Sequence, residues 1–233
     1  MNTEQFNRYV DEAAKCPEIE KDDPSSVCRG VIKDEWATML GWGKHNSKIV
    51  FVGANPRWTP EVARKHNRPE GMSRSAFARD FSATFNGTGV KHFDYHRKIL
   101  AKLREKCSWA PNDLKEFAFY TEIALCPTSG TRGIREDCFD HCFKKNTAPF
   151  IKAGQFKIIV TIGEIAFWVC MRRFCDPAIK GEFGDYIGKE QYIFDLKAFI
   201  LPCYHPAPAR FWPKGQWESV TSDIADKILY LLK

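Results

Sequence analysis

Hydrophobic and polar positions along the chain fall into blocks of two periods. Residues 3–15 place Phe6, Val10, Ala13 and Ala14 at helical spacing and end at Cys16-Pro17. A polar stretch, EIEKDDPSS (18–26), precedes Cys28 and a helical or irregular segment that runs to Gly43. The apolar, β-branched run Ile49–Val52 predicts a buried strand over 48–53. Residues 95–106 predict an amphipathic helix through Ile99, Leu100 and Leu103. A second strand is expected at 117–125, a helix at 134–153, a third strand at 157–163 and an apolar helix at 164–174. Residues 176–196 read as a Gly-rich loop with short strands, 198–205 as a fourth strand, and 215–232 as a helix carrying Val220, Ile224, Ile228 and Leu231 on one face. Strands alternating with helices predict a three-layer α/β/α sandwich around a four-stranded, mainly parallel sheet. No repeat, low-complexity tract or linker divides residues 1–233, so one domain is expected.

Composition narrows the function. Apolar residues make up 44% of the chain, enough for a sizeable core, and the net charge of +6 with a pI near 8.8 favours an anionic partner, nucleic acid first. No apolar run reaches membrane-spanning length, and the segment MNTEQFNRYVDEAAK has no signal-peptide core, so a cytoplasmic protein is expected. Nine cysteines, an odd number, argue for a metal or cluster site over a disulfide framework.

Candidate chemistry sits at two strand ends. The first strand runs into Gly53-Ala54-Asn55-Pro56. Gly53 permits close backbone approach, and Asn55 either holds a water or polar ligand group or simply forms an Asn-Pro turn. The fourth strand runs into Tyr204-His205-Pro206-Ala207-Pro208-Ala209-Arg210. In a parallel sheet both ends lie on one edge, where ligands bind. Residues 57–79 interleave Arg57, Arg64, Lys65, Arg68, Arg74 and Arg79 with Trp58 and Phe77, and Phe81 and Phe85 follow. Such a segment can contact phosphates and stack bases, or be a solvated surface loop.

The pair GANP and HPAPAR resembles the two active-site motifs of the uracil-DNA glycosylase superfamily. The cysteines resemble those of its family 4, which carries a [4Fe–4S] cluster. Cys126 and Cys142 stand sixteen residues apart as in that family, and Cys28 lies 25 residues before Gly53. The resemblance implies a cluster on Cys16, Cys28, Cys126 and Cys142, with Cys138 the alternative to Cys16 because the family's close C-x-x-C pair is widened here; Zn²⁺ is the alternative metal. Residues 1–46 would then form a cluster-binding segment ahead of the motifs. Cys107, Cys170, Cys175 and Cys203 are expected to be plain thiols.

The resemblance further implies a monofunctional glycosylase, a monomer acting on double-stranded DNA, that flips a base and hydrolyses its N-glycosidic bond. Asn55 would place the attacking water, and His205 would donate a hydrogen bond to the base carbonyl. Gly53 and Ala54 would line the base pocket, with Ala54 standing where family 4 has a Glu. Phe93 falls where family 4 has the phenylalanine that stacks on the base; a core Phe before a helix is the other reading. Arg57 and Arg74 would meet phosphates, while Arg210 and Phe211 would contact phosphate or fill the gap left by the base. Glu122 departs most from the family, which has a uracil-reading Asn there. An ionised carboxylate only accepts hydrogen bonds, so it suits an exocyclic amine such as cytosine N4 and opposes uracil O4. This predicts a modified, hypermodified cytosine such as a glucosylated hydroxymethylcytosine of phage DNA, and so a place in antiviral defence. A family-4-like uracil-DNA glycosylase of base-excision repair and a catalytically weak DNA-binding module are the alternatives.

Overall fold

The computed structural model of the chain describes residues 1–16, 40–54, 68–87, 93–125, 136–205 and 216–233. Among them the sheet has six strands: β1 (Trp42–Gly43), β2 (Ile49–Gly53), β3 (Phe119–Glu122), β4 (Ile158–Ile162), β5 (Gln191–Ile193) and β6 (Ala198–Cys203). Their spatial order is β1-β3-β2-β4-β6-β5. The four middle strands are parallel, and β1 and β5 add antiparallel edges. The α/β/α architecture is therefore as expected, with a wider sheet. The extra strands have only two and three residues, too few to show an alternating pattern.

The helices are α1 (Thr3–Ala14), α2 (Arg74–Thr84), α3 (Asp94–Lys106), the one-turn α4 (Leu114–Phe117), α5 (Glu136–Cys142), α6 (Ala148–Gly154), α7 (Glu164–Phe174) and α8 (Gln216–Leu232). They cover both faces of the sheet, which is why β2 and β4 are buried along their whole length and read as unbroken apolar runs. Neighbouring residues of β3 show the two faces. Phe119 packs on Phe6 of α1 and Phe150 of α6, with ring centroids 5.7 and 4.7 Å away. Tyr120 points the other way, to His96 of α3 at 5.2 Å. On that face α3 packs against α8 through buried Ile99, Leu103, Ile224 and Ile228, and Lys106 pairs with Asp226.

Two elements depart from the predicted bounds for local reasons. The strand expected at 117–125 is shortened because Asp113 caps a helical turn, accepting from the Glu116 N–H at 2.8 Å. The helix expected at 134–153 contains a π turn at Phe143–Thr147 between α5 and α6. Pro149, in the first turn of α6, has no N–H to donate, and the wide register just before it absorbs the missing bond. The π turn also aims Asn146 and Thr147 inwards, where both are buried.

Candidate active site

The parallel centre brings four strand ends to one edge. Gly53 pairs with Glu122, Val52 with Thr161, and Ile162 with Cys203. Continuing the register, Glu122, Gly53, Ile162 and Cys203 form one row across β3, β2, β4 and β6. The ends of that row are three strand spacings, about 14 Å, apart. His205 follows two residues beyond Cys203, and Ala54 one beyond Gly53.

Glu122 is locked into this edge by its backbone. The Ile123 and Ala124 N–H groups donate to Gly53 O and Ala54 O, both at 2.9 Å. The Glu122 carbonyl accepts from the Thr147 hydroxyl of the π turn at 2.8 Å. Its side chain lies flat over Gly53. A Cβ added there would stand 2.0 Å from Glu122 Oε2 and 2.9 Å from Oε1. Gly53 thus provides the space for the carboxyl. The residue is only partly buried, yet Oε2 itself is buried and has no hydrogen-bond partner among the described residues. Burial pushes the carboxyl pKa up to about 8. The group therefore keeps its proton to higher pH than a free carboxyl, and in the neutral form it donates as well as accepts.

His205 is set by a second glycine. Gly163, between β4 and α7, has φ +87°, and a Cβ there would come within 3.1 Å of His205 Cβ. The Gly163 N–H donates to Cys203 O at 2.8 Å, tying the turn to the end of β6. Both the backbone conformation and the contact favour glycine. Gly163 went unremarked as a site residue, although KIIVTIG carries the same signal as IVFVG: a buried strand ending in glycine.

Phe93 enters from α3. It is partly buried, with its ring centroid 5.0 Å from Trp42, 6.0 Å from Phe85 and 5.8 Å from Tyr120, each edge-on. Gly87, with φ +73°, makes room for it; a Cβ there would touch Phe93 at 3.1 Å and Trp42 at 3.2 Å. Tyr120 stacks in turn on Trp42 and Phe51 at 4.2 and 5.2 Å. Since Tyr120 is one pleat before Glu122 on the same face, Phe93 and Glu122 border the same end of the sheet. Trp42 and Tyr120 are the supports that the pattern reading missed.

Asn55, Arg57, Cys28, Cys126, Arg210 and Phe211 lie outside the described residues. Arg74 lies in the first turn of α2, partly buried. The stretch beyond it is corrected. Phe77, Phe81 and Phe85, spaced by four, bury one helix face in the core and are not offered to bases. Arg79 pairs with Asp11 of α1, and the Arg68 guanidinium donates to Met72 O.

Of the expected cluster ligands, Cys16 follows α1 and Cys142 ends α5, both buried; Cys138 is buried one turn before Cys142. Cys142 Sγ accepts from the Leu125 N–H at 3.3 Å and from Asn146 Nδ2 at 3.6 Å. A buried sulfur facing two N–H donors suits a thiolate ligand of a cluster or of zinc. Burial instead pushes the thiols of Cys170, Cys175 and Cys203 up, that of Cys203 to about 12. Among the described residues, no group of three or more His, Cys, Asp or Glu side chains is placed to hold a metal.

The family model of the uracil DNA glycosylase superfamily matches residues 40–226, which include the whole of this edge. The chain belongs to the uracil DNA glycosylase superfamily. No curated protein matches it. Superfamily membership makes the chain a DNA glycosylase in general terms, a hydrolase of N-glycosidic bonds that acts on DNA. No helix among the described residues is long and apolar enough to cross a membrane.

Proposed function

We propose that this superfamily member removes a modified, amino-bearing cytosine from DNA by hydrolysis, leaving an abasic site. The observation that carries the reading is Glu122, whose carboxyl lies over Gly53 with Oε2 buried and without a partner among the described residues. A buried polar group without a partner is costly, and a ligand that supplies the partner regains that cost. In the neutral form the C=O accepts from a cytosine N4–H and the O–H donates to N3, so both atoms of that base edge are matched. Glu122 and His205 would grip the flipped base from the two ends of the row, with Phe93 stacking on its face. His205 would donate to the base carbonyl as negative charge builds there. Asn55, directly after Ala54, would place the water, and an amide being a weak base, attack follows bond breaking. Arg57, Arg74, Arg210 and Phe211 would hold and kink the duplex.

The cysteines would serve structure. Cys16 or Cys138, with Cys28, Cys126 and Cys142, would hold the [4Fe–4S] cluster or zinc. Such a group ties segments together and supplies no step of the hydrolysis. The 5-substituent fits phage DNA, and a role in antiviral defence follows from the need to spare ordinary cytosine.

One observation favours a second reading. The neutral carboxyl can also donate to uracil O4 while accepting from N3–H, so burial of Glu122 admits ordinary uracil repair. Mass spectrometry of bases released from uracil-containing, plain and hypermodified phage DNA decides between them. Release of a 5-modified cytosine supports the proposal; release of uracil alone sinks it.

A further inference from the structure

We infer that Glu122 is a catalytic acid: its carboxyl O–H protonates ring nitrogen N3 of the leaving cytosine as the glycosidic bond breaks. This rests on the amino-pyrimidine reading above and gives the same residue a second task. Three observations support it. The Glu122 main chain is held at the sheet edge by pairing with β2 and by Thr147, which fixes where its side chain leaves the strand. Gly53 leaves it no Cβ to rest against, and Oε2 has no partner of its own among the described residues. Burial keeps the proton on it at neutral pH.

The chemistry of the base asks for such a group. A departing uracil spreads its negative charge over two carbonyls. A departing cytosine has one carbonyl and an amine, so its anion is less stable and it leaves less readily. Cytosine N3 carries a lone pair and can accept a proton, whereas uracil N3 already bears hydrogen. A hydrogen-bond donor at the carbonyl, such as His205, serves either base; a transferable proton at N3 helps only cytosine.

The step balances. The C1′–N1 bond breaks and its electron pair goes to the base. The Glu122 O–H bond breaks and its proton forms N3–H, so the base leaves neutral. Water attacks C1′, forms the C1′–OH bond and releases a proton to solvent, and solvent returns a proton to Glu122. The net reaction adds one water across the glycosidic bond.

Few other groups on the surrounding elements titrate. From β2 there is none, Gly53 and Ala54 carrying no ionisable side chain. The π turn contributes Asn146 and Thr147, which do not ionise here. β3 contributes Tyr120, whose hydroxyl burial holds well above its usual range. α3 contributes His96, buried against Phe51 and Tyr120, together with Arg97 beside Tyr120. It also contributes Tyr95, whose hydroxyl lies near Cys203 and is held well above its usual range by burial. β6 contributes that Cys203, a thiol pushed up to about 12, and beyond it His205.

The test is single-turnover base release from duplexes containing 5-hydroxymethylcytosine, its glucosylated form, or uracil. Rates are followed from about pH 5.5 to 9.5, with DNA binding measured alongside. Wild-type release of the modified cytosine is expected to fall tenfold per pH unit above a break near 8, while DNA binding stays level. Glu122→Gln is expected to be at least ~10²-fold slower at neutral pH and to lose that break. A duplex carrying the 3-deaza analogue of the modified cytosine, which offers the amine but no N3 lone pair, is expected to bind and not be cleaved. This arm uses the wild-type enzyme and stands even if the variant fails to fold. Brisk release of modified cytosine with a flat pH profile, or cleavage of the 3-deaza analogue, overturns the acid role and leaves the substrate reading standing. Release of uracil alone removes the substrate reading itself, and the acid role with it.

Discussion

Glycine at position 53 is predicted to be worth more to the site than to the strand, and Gly53→Ala measures by how much. β2 is extended there, so alanine is tolerated by the backbone; only the neighbour objects. The new Cβ would lie 2.0 Å from Glu122 Oε2. An ordinary contact needs about 3.5 Å, so the carboxyl must retreat by roughly 1.5 Å or swing out of the edge. Overpacking of this kind costs about 1–3 kcal/mol. In a domain of this size each kcal/mol lowers the melting midpoint by about 2–4 °C. The decisive design is a double-mutant cycle with Glu122→Ala, read by chemical denaturation. Removing Glu122 leaves a hole over Gly53, and the alanine methyl of the double variant partly fills it. The two changes should therefore offset, with a coupling of about −1 to −3 kcal/mol. Single-turnover release should fall in Gly53→Ala as the carboxyl loses the proposed contact with the base, by about 1–3 kcal/mol of transition-state binding. Stability effects that add to within about 0.5 kcal/mol would show that the carboxyl does not rest on Gly53, and the account of this edge would fail with it.

Three further outcomes follow from the same geometry. Because Glu122 titrates near 8 when folded and near 4.5 when exposed, the native state holds the extra proton between these values; the Glu122 contribution is complete below about pH 4.5 and is lost as pH rises through 8. Wild-type stability relative to Glu122→Gln should thus decline across that window with a slope of up to about 1.4 kcal/mol per pH unit, and parallel curves would contradict it. Asn55→Ala and His205→Ala should bind DNA like wild type and cleave at least ~10²-fold more slowly; unchanged rates in both would move the chemistry elsewhere. On the proposed cluster, Cys126→Ser or Cys142→Ser should lose iron and much of the thermal stability, while Asn146→Ala should retain iron with a shifted reduction potential; full iron and an unchanged melting temperature in both serine variants would remove the cluster proposal.

The parallel centre of the fold was legible because burial on both faces writes strands as unbroken apolar runs such as IVFV and IIVTI, each closed by a glycine. The edges were not, because WG and QYI are shorter than the period that would reveal them. The π turn was hidden because the residues around it keep helical spacing, and only Pro149 hints at a break. Phe77, Phe81 and Phe85 were read as base-stacking candidates because charges surround them, although their spacing of four already placed them on one helix face. Glu122 was found as a departure from a motif, but its protonation could not be read from the chain. The raised pKa comes from burial of the carboxyl, which lies over Gly53, 69 positions earlier, with no partner for Oε2 among the described residues, and these are facts of packing.

The edge also raises the question of why the fold tolerates so expensive a group. A buried carboxyl without a partner costs about 1–3 kcal/mol, and glutamine or leucine would fill the same volume without a proton to lose. Nothing on β3 requires an acid: the backbone pairing with Gly53 and Ala54 and the Thr147 contact all go to main-chain atoms. Among the described residues Oε2 has no partner, and the glycine opposite leaves room for the carboxyl. On the proposed reading such a group is explained by what it would meet, because a base edge that supplies both a donor and an acceptor would turn the penalty into selectivity. The same logic separates the two glycines of the edge. Gly163 is needed for its backbone as well as for the His205 contact, so replacing it should damage folding and chemistry together. Gly53 is needed only for the side chain it accommodates, so its replacement should damage the chemistry most when Glu122 is present and cost little when Glu122 is gone.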